Sequence, residues 1–108
     1  MSFCVVSDVR AIVDTDITDS EIDVLIDECG ALINAKIGSA IDPLILRAIN
    51  RTWVAYRCMM KDPHSESIGE YRGDRTEVLK LMRQDVDEWL KMAEGGFAFT
   101  YGYAEIRE

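Results

Sequence analysis

Residues 42–61 read DPLILRAINRTWVAYRCMMK, and this stretch decides the fold. Asp42 suits a helix N-cap, and Pro43 suits the first helical position, where a missing N–H is no loss. Ile45, Ala48, Ile49, Trp53, Tyr56, Met59 and Met60 then recur at three- and four-residue steps, the helical period. Leu44, Leu46 and Val54 widen the apolar face beyond one stripe, which predicts a central helix wrapped by others. Arg47, Asn50, Arg51, Arg57 and Lys61 take its remaining surface.

Upstream of this helix, the pattern is again helical. Thr18 and Glu21 stand at capping-box spacing, and Ile22, Leu25, Ile26, Cys29, Leu32, Ile33 and Ile37 form an apolar stripe. The spacing predicts a helix over 19–37 that ends at Gly38, with Asp19, Asp23, Asp27 and Glu28 on its outer face. A short first helix is expected over 8–13, with Ser7 as its N-cap. The intervening Asp14, Asp16 and Asp19 do not make a calcium loop, because Asp19 and Leu25 stand where glycine and glutamate are needed.

Downstream, Pro63 breaks the helix, and DPHSESIGEYRG over 62–73 shows turn-forming residues without periodicity. A connection this long in a compact helical domain is usually functional or disordered, and the apolar anchors Ile68 and Tyr71 favour an ordered, interacting loop. Asp74 or Thr76 then caps a last helix ending near Glu94, with Val78, Met82, Val86, Trp89 and Ala93 inward and Leu79 and Leu90 beside them. The tail, residues 95–108, alternates Phe97, Phe99, Tyr101 and Tyr103 with small or polar residues, a period of two. A lone extended segment leaves its backbone unsatisfied, which points to docking on a partner; folding back on its own domain, or staying untethered, is the alternative. The chain therefore reads as all-α: a bundle of about four helices, one short and three long, over 1–94. A long loop precedes the last helix and an extended aromatic tail follows it.

Composition narrows the function classes. The chain has 108 residues and a formal net charge of −8, a poor start for neutralising nucleic-acid phosphates. Residues 1–40 carry −6, residues 41–75 carry +1 and residues 76–108 carry −3, so only the central helix and its loop are basic. Those bases have two possible partners: the acids of the preceding helix in the same chain, or the acids of a neighbouring copy. Cys4, Cys29 and Cys58 are odd in number and lack C-x-x-C spacing, so they read as buried thiols rather than disulfides or zinc ligands. His64 has no second His or Cys nearby, and no phosphate loop, nucleophile elbow or H-E-x-x-H pattern occurs. The sequence predicts no catalysis, no cofactor and no metal, and nothing in it predicts secretion or membrane insertion.

The order of these segments resembles the head–tail connector (adaptor) proteins of long-tailed bacteriophages and related viruses. The likeness runs through the T-D-S-E start and A-L-I-N-A-K-I end of the second helix. It continues in D-P-x-I/L-x-x-A-I opening the central helix and in Tyr56–Met60 closing it. Its most specific piece is S-I-G-E-Y over 67–71, similar to the S-V-G-D-Y kind of loop in that family. The resemblance implies a virion protein assembled in the host cytoplasm as a ring, typically a dodecamer, below the portal. Such a ring extends the DNA channel, lets DNA pass without specific binding, and offers a platform for a stopper or tail-completion protein. On that reading, contacts between copies fall to Arg47, Arg51, Asp23, Asp27, Glu66, Ile68, Glu70, Tyr71 and Arg72. Portal or tail docking falls to Phe97, Phe99, Tyr101 and Tyr103. A small helical DNA-binding regulator is the alternative, but Lys80, Arg83 and Lys91 on the last helix are interleaved with Asp85, Asp87 and Glu88.

Overall fold

The structure, a computed structural model, describes residues 2–38, 40–68, 71 and 73–95. Four helices appear in order: α1 (Val6–Arg10), α2 (Asp19–Ile37), α3 (Pro43–Lys61) and α4 (Arg75–Gly95). Strands β1 (Val13–Asp14) and β2 (Glu66–Ser67) pair antiparallel, Val13 opposite Ser67 and Asp14 opposite Glu66. The expected small all-α bundle is the fold found. α3 is its centre and contacts each of the other three helices.

The long helices start and stop where the sequence says. Asp42 Oδ1 accepts the Leu44 N–H at 2.9 Å, and Asp74 Oδ1, rather than Thr76, accepts the Glu77 N–H at 2.8 Å. Gly38 ends α2 with φ at +76°, a left-handed conformation that a side chain would strain. Gly73, at φ +119°, turns the chain into α4, and a Cβ there would collide with the Glu77 carboxylate. Thr18 realises half of a capping box. Its Oγ1 accepts the Glu21 N–H at 3.3 Å, while the Glu21 carboxylate is held by the Thr18 hydroxyl at 3.2 Å.

Three expectations change. The first helix runs over Val6–Arg10, not 8–13, because Asp8 reaches back to accept the Val5 N–H at 3.0 Å and so moves the start upstream. Val13 is drawn out of it into β1. The loop after α3 is also not wholly irregular. Besides the β1–β2 pairing, the Ile68 N–H donates to Ile12 O at 2.9 Å. Finally, Asn50, placed on the surface by its polarity, is fully buried. Its Oδ1 accepts the Phe3 N–H at 2.9 Å, and its Nδ2 donates to Ile26 O at 3.3 Å.

Two apolar clusters make the core. One gathers Val9, Val13, Ile22, Ile26, Cys29, Val54, Cys58 and Met82; the other gathers Ile33, Leu46, Ile49, Val86 and Leu90. Trp53 packs against both and joins them. Not every residue of the apolar stripes goes inside. Leu32, Leu44 and Met60 are 46%, 68% and 62% exposed, since neighbouring helices cover a wide arc of α2 and α3 but not the whole circumference. The three cysteines are free and buried, as their spacing suggests. Burial pushes the Cys4 thiol to about 12 and those of Cys29 and Cys58 to about 11, so their nucleophilic thiolate form is suppressed.

Candidate interaction surface

The chain between α3 and α4 is held by a polar network built on Asp62, the residue after the helix. Its Oδ1 accepts the His64 N–H at 3.0 Å, and its Oδ2 accepts the Asp16 N–H at 3.0 Å and the Thr15 hydroxyl at 3.1 Å. Ser65 Oγ lies 3.0 Å from the same oxygen and 2.7 Å from Thr15 Oγ1, its single proton serving one of them. Arg75, the first residue of α4, donates to Ser65 O at 2.9 Å and Asp62 O at 3.0 Å, tying the start of α4 to the end of α3. Farther along, the Tyr71 hydroxyl donates to Asp85 Oδ2 at 2.5 Å, which fixes the loop to the side of α4.

This network matters because the β1–β2 pairing cannot hold itself. It is two residues long and sets Asp14 opposite Glu66, a like-charge pair that opposes it. The Asp62 hub supplies the missing stability from below. On the other side, Arg10 clamps the turn after α1, donating to Thr15 O at 3.1 Å and Ile17 O at 2.8 Å and pairing with Asp19 at 2.8 Å.

The Asp62 network makes a pH prediction. The His64 N–H first, and the Asp16 N–H next, pull the Asp62 carboxyl down to about 2 from the ordinary 3.8. A depressed folded-state value means the carboxylate stabilises the fold above 3.8, and that contribution is lost as pH falls towards and through about 2. Thermal unfolding followed across that window is expected to show a steeper loss in the native chain than in Asp62→Asn. Equal slopes would mean the hub does not carry the acid dependence.

The bases of α3 find acids mostly within the chain. Arg47 bonds Asp8 at 2.7 Å, Arg57 lies 3.8 Å from Glu28, and Lys61 lies 3.8 Å from Glu21. The Val5 N–H, and after it the Arg47 guanidinium, hold the Asp8 carboxyl below its usual range. The Arg57 and Lys61 pairs are partly exposed and worth little each, about 0–1 kcal/mol. Arg57 also covers the Trp53 ring and Arg83 covers the Tyr56 ring, at 5.6 and 5.9 Å from the ring centres. Arg47 is therefore engaged with an acid of its own chain, while its side chain stays partly exposed.

The other residues expected at the surface fall into three groups. Arg51, Ile68 and Tyr71 are brought together around one cleft, a convergence of α3 with the loop that no spacing in the sequence displays. Asp23 and Asp27 are exposed on α2 and make no ion pair among the described residues, and Glu66 is exposed in β2. Glu70 and Arg72, and the tail residues Phe97, Phe99, Tyr101 and Tyr103, lie outside the described residues. A shallow groove of about 460 Å³ also opens between Leu25 of α2, Tyr56 and Met60 of α3, and Arg83 of α4. No group of three or more His, Cys, Asp or Glu placed to hold a metal ion occurs among the described residues. No described helix is long and apolar enough to cross a membrane.

Comparisons with models of known protein families, with curated proteins and with solved structures gave no match.

Proposed function

We propose that this chain is a structural head–tail connector (adaptor) of a tailed virus. It works without catalysis, as one copy in a ring below the portal that extends the DNA channel and docks neck or tail proteins. The observation that carries the reading is the S-I-G-E-Y loop over 67–71 in its place between the central and last helices. Its support is the anchoring around that loop: Asp62 and Arg75 hold the residues just before it, Ser67 pairs with Val13, Tyr71 is bonded to Asp85, and Ile68 between them is 47% exposed. A connecting segment braced at both ends and apolar at its middle is suited to recognition rather than to linking.

The charge distribution agrees with this reading. A net charge of −8 lets DNA move past the protein without adhering. A DNA-reading helix needs a free row of bases, whereas Arg47, Arg57 and Lys61 on α3 each face an acid of the same chain.

The test is co-expression with the portal protein encoded by a neighbouring gene. A ring of this chain on the portal, visible by electron microscopy, is the expected result. Removing residues 97–108 is expected to abolish that binding and leave the melting temperature nearly unchanged, because the described core ends at Ala93. A full-length chain that never joins the portal, or a neighbourhood without portal and capsid genes, overturns the proposal.

A further inference from the structure

Arg51 differs from the other cations of α3. Arg47, Arg57 and Lys61 each stand within 4.0 Å of an acid, but Arg51 has no ion pair or hydrogen bond among the described residues. Its Nε is buried and has no acceptor among the described residues. Asp8, an acid whose charge it feels, already has one oxygen on the Val5 N–H and the other on Arg47. The side chain borders a cleft of about 180 Å³ walled by Ile12, Ile68, Tyr71 and Trp89. A buried guanidinium N–H without an acceptor is costly, and apolar walls strengthen any ion pair formed beside them. The cleft is therefore suited to a carboxylate arriving from outside.

The same chain carries unclaimed carboxylates elsewhere. Asp19, Glu21 and Glu28 of α2 each face a base, whereas Asp23 and Asp27, one turn apart and exposed, face none among the described residues. We propose that the Arg51 cleft receives the Asp23–Asp27 row of a second copy of this chain. The two patches lie on different elements, so the contact is heterologous and each copy offers one half to either neighbour. Charge complementarity names the occupant: a cation in a walled cleft and an acid pair on an open helix, each without an ion pair among the described residues. The inference rests on the ring reading and, of the two arginines expected between copies, gives Arg51 the role of the cation that meets the acid row. Glu70, two residues beyond Ile68 in sequence, lies outside the described residues and is the in-chain carboxylate chosen as a control.

Sedimentation of the full chain up to millimolar concentration tests this. Arg51→Glu alone and Asp23→Arg/Asp27→Arg alone are each expected to weaken self-association by about tenfold or more, the scale of a broken close charge pair. Mixing the two variant chains restores opposite charges at every contact, so the mixture is expected to associate as the native chain does. Arg51→Gln, which keeps much of the side chain's bulk, serves if Arg51→Glu does not fold. Failure of the native chain to associate, failure of the mixture to recover, or a loss of melting temperature in Glu70→Gln equal to that in Arg51→Gln overturns the contact. Portal rings that form equally well with Arg51→Glu sink the contact and keep the connector reading. Charge-dependent association without portal binding does the reverse.

Discussion

Replacing Asn50 by Ala is expected to remove about 3 kcal/mol of folding free energy, a large share of the 5–15 kcal/mol typical of a small domain. The side chain is fully buried and bridges three parts of the molecule: the Phe3 N–H of the amino-terminal segment, α3 itself, and Ile26 O of α2. Each hydrogen bond contributes about 1 kcal/mol net, and stranding the partners and opening a small void adds a comparable amount. For a domain of this size the melting temperature should fall by roughly 15 °C. Urea unfolding of Asn50→Ala beside Arg47→Ala, in which a partly exposed ion pair is lost, separates a buried tether from a surface contact. A loss below about 1 kcal/mol would mean that Asn50 is replaceable by water.

The second large effect is a contrast on the same helix. Ile49→Ala should cost about 3–4 kcal/mol, because Ile49 is fully buried against Ile33, Leu46, Val86 and Leu90 and its removal leaves a cavity. Leu44→Ala, five residues earlier, should change stability by no more than about 0.5 kcal/mol, since Leu44 is 68% exposed. Both residues are apolar and lie on what the spacing marks as one broad face. Comparable losses from the two variants would show that the domain packs its α3 start against something, such as a second copy.

The two experiments bracket what the sequence makes legible. The three long helices are readable because their signals are local: a cap at Thr18, Asp42 or Asp74, an apolar period, and a glycine or proline at the end. Individual burial is less readable. Periodicity names a face, but which of its residues meets a neighbour depends on where that neighbour's axis crosses. Leu32, Leu44 and Met60 therefore stay outside, while Asn50 goes in.

The candidate surface was partly legible as well. Ile68 and Tyr71 stand out as apolar anchors in a polar loop, and the basic character of α3 is evident from its bases. The sequence leaves open which bases are spent within the chain. Arg47 is taken by Asp8, 39 positions away, whereas Arg51, one helical turn further on, is left beside the loop. The Asp62 hub likewise joins Thr15 and Asp16 to the end of α3 across more than forty residues.

By itself, then, the sequence determined the helical class, the central position of α3, the ends of the long helices and the burial of the three thiols. Caps, periodicity and side-chain polarity act within a few residues and need no knowledge of the rest. The tertiary structure alone decided the β1–β2 pairing, the burial of Asn50, the Asp62 hub and the separation of Arg51 from its paired neighbours. Each of these depends on groups far apart in the chain meeting at hydrogen-bond distance, and that is set by how the helices cross.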